Sequence, residues 1–477
     1  MAKAKTPSYV LELELLVSSH DRKVLNKKLE VGRQIYNAVL GKAIKCLHRV
    51  RSDKEYQNLL KEPSSKERNT RLREIERSYG YSEYDLHEWS AACKHHFEGH
   101  LGINEVQKLV TRAFKAVEKL HYHKAEEVHF KRAGETVSIE NKTNTTGLRW
   151  KEGHILWGEM TISAKVKKND LYAQRALMDR TKYIRILKRE IRGRERFFVQ
   201  LIQEGYPPQK GRQVGADTVG LDIGPSTVAV VSASLVSLRE LAPEASVDSP
   251  KIRRIERAMD RSKRATNPEN YDANGVPQKS CKWMYSHRYE KLRSQKKNLQ
   301  HKAAAKRKQS HAILANEILS QGSDIRVETM RFRSLQKRAK KTTYNRKNGK
   351  INSKKRFGKS IGNHAPALLL SILNRKLSAV GRRLNTVDTY ALKASQFNHV
   401  TKEFHKKHLS ERWNKIGEHR IQRDLYSAFL IRNTTQELSC IDVYQCEKMW
   451  DRFVLLHDQE VRRIKANETK QLKWYVA

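Results

Sequence analysis

Val219-Gly220-Leu221-Asp222-Ile223-Gly224 is the stretch on which the reading of this chain turns. It lies within residues 218–231, an apolar run interrupted by a single acid, which predicts a pair of buried strands. A bare carboxylate in so apolar a strand costs roughly several kcal/mol unless something pairs with it. A metal ion is the usual remedy. Gly220 and Gly224 leave room for a phosphate or another backbone to come close.

Two further carboxylates sit in comparable surroundings. Ile325-Arg326-Val327-Glu328-Thr329-Met330 follows Gly322 and Ser323, which are expected to end one long basic helix over residues 284–319. It predicts a short strand ending in an acid. Residues 331–360 then hold 13 Lys and Arg and no acid. In Ile421-Gln422-Arg423-Asp424-Leu425-Tyr426-Ser427-Ala428-Phe429-Leu430, Asp424 opens an amphipathic helix, where an acid also suits the helix dipole. Each acid alone has an ordinary structural reading. Together, spaced by 106 and 96 residues, they suit a two-metal phosphodiesterase. Such a site needs carboxylates converging from separate elements, and hard Mg²⁺ prefers their oxygens. Asp222 is then the bridging ligand, Glu328 comes from a neighbouring strand and Asp424 from a helix beside it. Two readings of Arg423 stay open: contact with the scissile or adjacent phosphate, or a plain surface charge. Lys337, Arg338, Lys340 and Lys341 are candidate nucleic-acid contacts.

The whole-chain charge agrees. The 477 residues carry 96 Lys and Arg against 52 Asp and Glu, a net +44. Such a surface requires a sizeable polyanion, which argues against a small-metabolite enzyme. Residues 251–310 alone hold 18 Lys and Arg against 5 acids. No run approaches the roughly 18 apolar residues of a membrane span, and no signal peptide is visible, so no membrane partner is expected. Five cysteines without a CxxC pair point to a reduced, cytoplasmic setting.

Before residue 210 the pattern differs. Residues 9–17 alternate, with Leu11, Leu13, Leu15 and Val17 on one face and Glu12 and Glu14 on the other, as a strand does. Leu25, Leu29, Tyr36, Leu40 and Leu47 then recur at helical spacing, and so do Val106, Val110, Ala113, Val117 and Leu120. Residues 52–100 between them are polar and helix-prone. From Leu148 the period becomes two, through residues 155–166 and 183–202, with a hairpin turn at Arg192-Gly193-Arg194. Pro207 and Pro208 begin a linker. This predicts a small barrel wrapped around a helical insertion.

The order Gly-Leu-Asp-Ile-Gly, then Val-Glu-Thr-Met before a basic stretch, then Gln-Arg-Asp-Leu-Tyr-Ser-Ala, resembles the split RuvC-like nuclease of TnpB proteins and their descendants, the compact type V CRISPR effectors. The resemblance implies an α+β multidomain fold. A wedge-type β-barrel would take residues 1–20 and 148–213, with a helical recognition lobe over 21–147. An RNase H-like (RuvC) α/β nuclease domain would take 214–394 and 420–440, a ribbon-like insertion 395–419, and a C-terminal helical tail 441–477. It also implies an RNA-guided DNA endonuclease, acting as a monomer or as a dimer on one RNA. Such a protein binds its guide RNA, recognises a short flanking motif on double-stranded target DNA, pairs guide with target as an RNA–DNA heteroduplex, and cuts with two Mg²⁺ ions. Family members carry a zinc ribbon before the third acid. Residues 395–423 here have no cysteine, and His399, His405, His408 and His419 are too loosely spaced for a zinc site, so no zinc is expected. Packing should hold that segment, with Trp413 either in its core or stacked on nucleic acid. Cys440 and Cys446 are expected to be buried thiols.

Two other classes compete. A guide-dependent DNA-binding repressor or transposition accessory without cleavage would have lost one of the acids. An actin-like or sugar-kinase ATPase shares the apolar-Asp-Gly strand but wants a second Asp-x-Gly, and none occurs.

Overall fold

The computed structural model describes residues 6–136, 138–208, 214–273, 275–278, 281–340, 343–345, 349, 357–406, 408, 411–466 and 472–476. The chain divides into two compact units, Met1–Lys210 and Gly211–Ala477. Both mix helix and sheet.

In the first unit, strand β1 (Ser8–Leu15) buries Leu11, Leu13 and Leu15 and turns Glu12 and Glu14 outward. Arg189 and Arg196 pair with those two acids at 2.5 and 2.7 Å. Five helices follow: α1 (Ser19–Ser52), α2 (Lys54–Leu59), α3 (Lys66–Ser78), α4 (Glu83–His96) and α5 (Ile103–His121). Ser18 and Asp21 form a capping box that starts α1, and both apolar stripes read from the sequence are largely buried. The chain returns through β2 (Ser138–Glu140), β3 (Arg149–Lys151), β4 (His154–Trp157), β5 (Met160–Lys165), a short α6 (Leu171–Ala176), β6 (Thr181–Ile191) and β7 (Arg194–Glu204). Arg192 and Gly193, at φ 55° and 72°, make the tight left-handed turn that a two-residue hairpin between β6 and β7 requires.

The seven strands form one antiparallel sheet in the order β2-β6-β7-β1-β5-β4-β3. It curls so that β3, at one edge, comes near β6 beside the other edge. The expected barrel is therefore a half-barrel with two free edges. The sheet also recruits β2 from the stretch assigned to the helical lobe, and residues 155–166, expected to have a period of two, fold into two strands about Gly158.

The second unit is built on five strands: β8 (Asp217–Ile223), β9 (Thr227–Val231), β10 (Val236–Glu240), β11 (Gly322–Glu328) and β12 (Asn385–Val387). Their order is β10-β9-β8-β11-β12. The first three run antiparallel, and β8, β11 and β12 run parallel. Between β10 and β11 come α7 (Pro243–Ser246), α8 (Ser249–Thr266) and α9 (His287–Gln321); between β11 and β12 come α10 (Phe332–Leu335), α11 (Gly358–His364) and α12 (Pro366–Ser378). After β12 stand α13 (Thr389–Leu392), two small hairpins β13 (Phe397–Asn398) with β14 (Glu403–Phe404) and β15 (Trp413–Ile416) with β16 (His419–Gln422), then α14 (Arg423–Arg432) and α15 (Val443–Ala466).

Alternation along the strands divides the packing into two layers. Val219, Leu221, Ile223, Ile325 and Val327 face α9 and α12. Ala229, Val231 and Leu238 face α14 and α15. The C-terminal helix is thus no tail. Phe453 stacks on Phe429 of α14 at 4.3 Å, and Glu460 accepts the Leu238 amide of edge strand β10 at 2.8 Å. Cys446 is buried in this layer, whereas Cys440 is exposed, so the expectation of two buried thiols fails for Cys440. Among the described residues, no helix is long and apolar enough to cross a membrane.

Candidate active site

Asp222 lies near the end of β8, with Ala229 of β9 opposite it on one side. On the other side Leu221 pairs with Val327 of parallel β11, so Glu328, one residue on, stands abreast of Asp222. Gly220 and Asp222 share one face of β8 because side chains alternate. A Cβ on Gly220 would fall on the Ala428 carbonyl and within 2.5 Å of the Arg432 amide nitrogen, so the α14 backbone rests directly on this face. Gly220 makes room for a helix, as the second of its two expected uses. The far end of α14 is tied down where β8 begins: Arg432 pairs with Asp217 at 2.9 Å and donates to the Thr218 carbonyl. The helix therefore runs back along β8 and brings its first turn, with Asp424, toward Asp222.

Electrostatics report the convergence. The Asp222 carboxyl is pushed well above the ordinary carboxylate range by burial first, then by the negative charges of Asp424 and Glu328, with Arg423 pulling the other way. Burial raises Glu328 to about 7, against a hydrogen bond from the Ala394 amide. Asp424 is held differently. It accepts from Arg423 and from the Gln422 side chain at 3.3 Å, and Arg412 lies 3.8 Å away. Arg423 is mostly buried and also donates to the Glu411 carbonyl at 3.1 Å. It is no surface charge: it is an internal counter-ion to the acids. Its partner Arg412, adjacent in space, escaped the sequence reading, because nothing local marks one arginine among so many.

The cap of α14 explains how this turn is fixed. Gln422 is fully buried; its side-chain oxygen accepts the Leu425 amide at 2.8 Å, and its own amide donates to His457 Nε2 of α15 at 3.0 Å. Among the described residues, no three His, Cys, Asp or Glu side chains form a ready metal cluster. The donor set still suits a hard divalent cation. It is all carboxylate oxygen, and the burial and mutual repulsion that oppose ionisation of Asp222 are what a bound cation would offset.

Three of the four histidines of the ribbon-like segment, His399, His405 and His419, are engaged with different partners. His399 is buried, takes hydrogen bonds with the Tyr426 hydroxyl through its amide and Nδ1 at 3.1 and 2.7 Å, and is lowered to about 4 by burial. His405 meets Glu403 at the surface. His419 lies 5.9 Å from the Trp450 ring. Trp413 packs half-buried at the edge of the α14–α15 core with Arg420 over its ring. Elemental analysis of the purified protein is expected to find no zinc; a stoichiometric amount would overturn this account of the segment.

Lys337, Arg338 and Lys340 are exposed just past α10, and Lys341 lies outside the described residues. A cleft of about 920 Å³ on the first unit adds a second cationic surface, with Lys142, Lys151, Arg180 and Lys182 around Trp150 and Tyr183.

No family model matches the sequence, and no curated protein matches it. Among solved structures the chain is similar to that of a Cas12f1–sgRNA–target DNA complex, at 12% identity over 90% of this chain and 99% of that one, with a TM-score of 0.46. It is also similar to a chain of a CRISPR-Cas12f ternary complex, at 12% identity over 87% of this chain and 82% of that one, with a TM-score of 0.28.

Proposed function

We propose that this protein is an RNA-guided DNA endonuclease of the TnpB and compact type V kind, cutting at a single RuvC-like site. One observation carries the reading: Asp222, Glu328 and Asp424, from segments 106 and 96 residues apart, converge until the charges of two oppose ionisation of the third, inside a chain of net charge +44. The sheet order, three antiparallel strands joined to two parallel ones with the acids on the face covered by α14, supports reading this unit as an RNase H-like domain.

Asp222, Glu328 and Asp424 would hold Mg²⁺, which when bound supplies an activated water and stabilises the leaving oxygen. The chain's own residues do the rest. Burial and the charges of Asp424 and Glu328 disfavour ionisation of Asp222, and a bound cation would offset that repulsion. Arg423 and Arg412 hold Asp424 in place and keep positive charge beside the position a phosphate would take. The basic hairpin of α8 and α9 and the loop after α10 would bind the RNA–DNA heteroduplex backbone. A binding-only role draws on the lack of a ready three-ligand cluster among the described residues. Against it stands the electrostatic coupling of Asp222 to Asp424 and Glu328.

The loop gives a test independent of cleavage. Replacing Lys337, Arg338 and Lys340 by Ala should weaken nucleic-acid binding and reduce the salt slope by up to about three. An unchanged slope would mean that the loop faces only solvent.

A further inference from the structure

The tip of the α8–α9 hairpin carries an aromatic arrangement that the cleavage site does not use. Tyr285 stacks on Tyr289, ring centroids 4.4 Å apart and planes 20° from parallel, and remains 45% exposed beside Met284 at 68%. Next along the chain, Trp283 meets Tyr271 edge-on at 5.5 Å and has Lys263 Nζ 3.4 Å from its ring centre. Arg264 lies over Tyr271 at 5.0 Å.

This tip is rigidly built. Asn267 is wholly buried. Its side chain donates to the carbonyls of Lys263 and Met284 at 2.9 and 2.8 Å and accepts the Met284 amide at 2.7 Å. Asn270, also buried, donates to the Lys282 carbonyl at 3.0 Å. Ser262 and Ser286 join the two helix ends at 2.8 Å. Two buried amides thus hold Lys282 to Met284 in place and present Tyr285 to solvent with one face already occupied by Tyr289. An exposed aromatic fixed in this way loses little freedom when a second ring lies on it. The nearby acids are partly spent: Asp272 accepts the Val276 amide, and Glu290 pairs with Arg293. The helices leading to the tip bear Arg257, Arg261, Arg288 and Lys291 on exposed positions.

We infer that Tyr285, backed by Tyr289, is a stacking platform for an unpaired base of the RNA this protein carries. The inference rests on the proposed function for the choice of RNA, since a hairpin this cationic needs a resident polyanion and target DNA is a transient one. A base within a duplex has no free face, so the site selects single-stranded nucleotides.

The test uses the full chain stripped of RNA in high salt, with fluorescent uridylate and thymidylate dodecamers and an RNA duplex of the same length. Tyr285→Ala should weaken uridylate binding by roughly 5- to 150-fold, the range a lost base–aromatic stack allows. Tyr285→Phe should bind as the parent does, because stacking needs no hydroxyl, and duplex binding should not change. Unaltered uridylate affinity in Tyr285→Ala overturns the platform, and so does a Phe variant as weak as Ala. A loss confined to thymidylate overturns the assignment to RNA. Asp222→Ala, which tests cleavage, should leave uridylate binding intact, so the two readings fail separately.

Discussion

Asp222→Ala should lower DNA cleavage by at least on the order of 10²–10³-fold while guide-RNA binding is unchanged, and Glu328→Ala and Asp424→Ala should do the same. The measurement is cleavage of a target duplex by the RNA-loaded protein, beside RNA binding by the same preparation. Full cleavage by any one variant removes that residue from the site. Asp222 and Glu328 sit where a charge is costly, so neutralising either should stabilise the metal-free protein. Glu328 makes this quantitative. Its carboxyl is raised from 4.5 to about 7. Between those values the unfolded chain has released a proton that the folded chain keeps, so stability falls as pH rises through this window and levels off above it. Glu328→Gln removes that loss, which is worth up to about 3 kcal/mol above pH 7. Without Mg²⁺, its melting temperature should exceed the parent's at pH 8 and nearly match it at pH 5. Equal values at both pH would mean that Glu328 is not buried as described. The same substitution should abolish cleavage, so stability and activity move in opposite directions.

Gly220→Ala should unfold or cripple the second unit. The added Cβ meets the Ala428 carbonyl and the Arg432 amide, both helix backbone, so no side chain can turn aside. Lifting α14 from β8 would disturb the Tyr426, Phe429 and Phe453 packing and carry Asp424 away from Asp222. A cost of about 3 kcal/mol or more is expected, at the upper end for overpacking. The contrasting variant is Gly224→Ala, whose Cβ would meet nothing closer than Thr227 Oγ1 at 3.4 Å. It should change stability by less than about 1 kcal/mol. Urea unfolding of both variants decides the matter: a Gly220→Ala protein as stable as the parent would show that α14 does not lie on β8.

Much of this architecture was legible in the chain because the relevant signals are local. Leu11, Leu13 and Leu15 alternate with Glu12 and Glu14, and the strand they make buries the first set. The turn at Arg192-Gly193 and the stripes of α1 and α5 follow the same logic. The misreadings share a cause as well. Ser138–Glu140 is too short to show a period, and it becomes a strand only because β6 offers it an edge. The half-barrel has free edges because closure depends on how far a sheet curls, which no strand records in its own sequence. Helix α15 looked like an appendage because its stripe does not name what it packs against.

The candidate site divides along the same line. That Asp222, Glu328 and Asp424 each occupy an apolar element, and that the chain carries +44 of charge, follows from the order of residues alone. That Glu328 stands abreast of Asp222 depends on the register of two parallel strands about a hundred residues apart. That Asp424 reaches them depends on α14 lying against Gly220, and that Arg423 is a buried counter-ion, not a surface charge, depends on the turn held by Gln422 and His457. Composition and periodicity act within a few residues, so they determine which segments bear acids. Register and close packing act between segments distant in the chain, and only they decide which acids share a site.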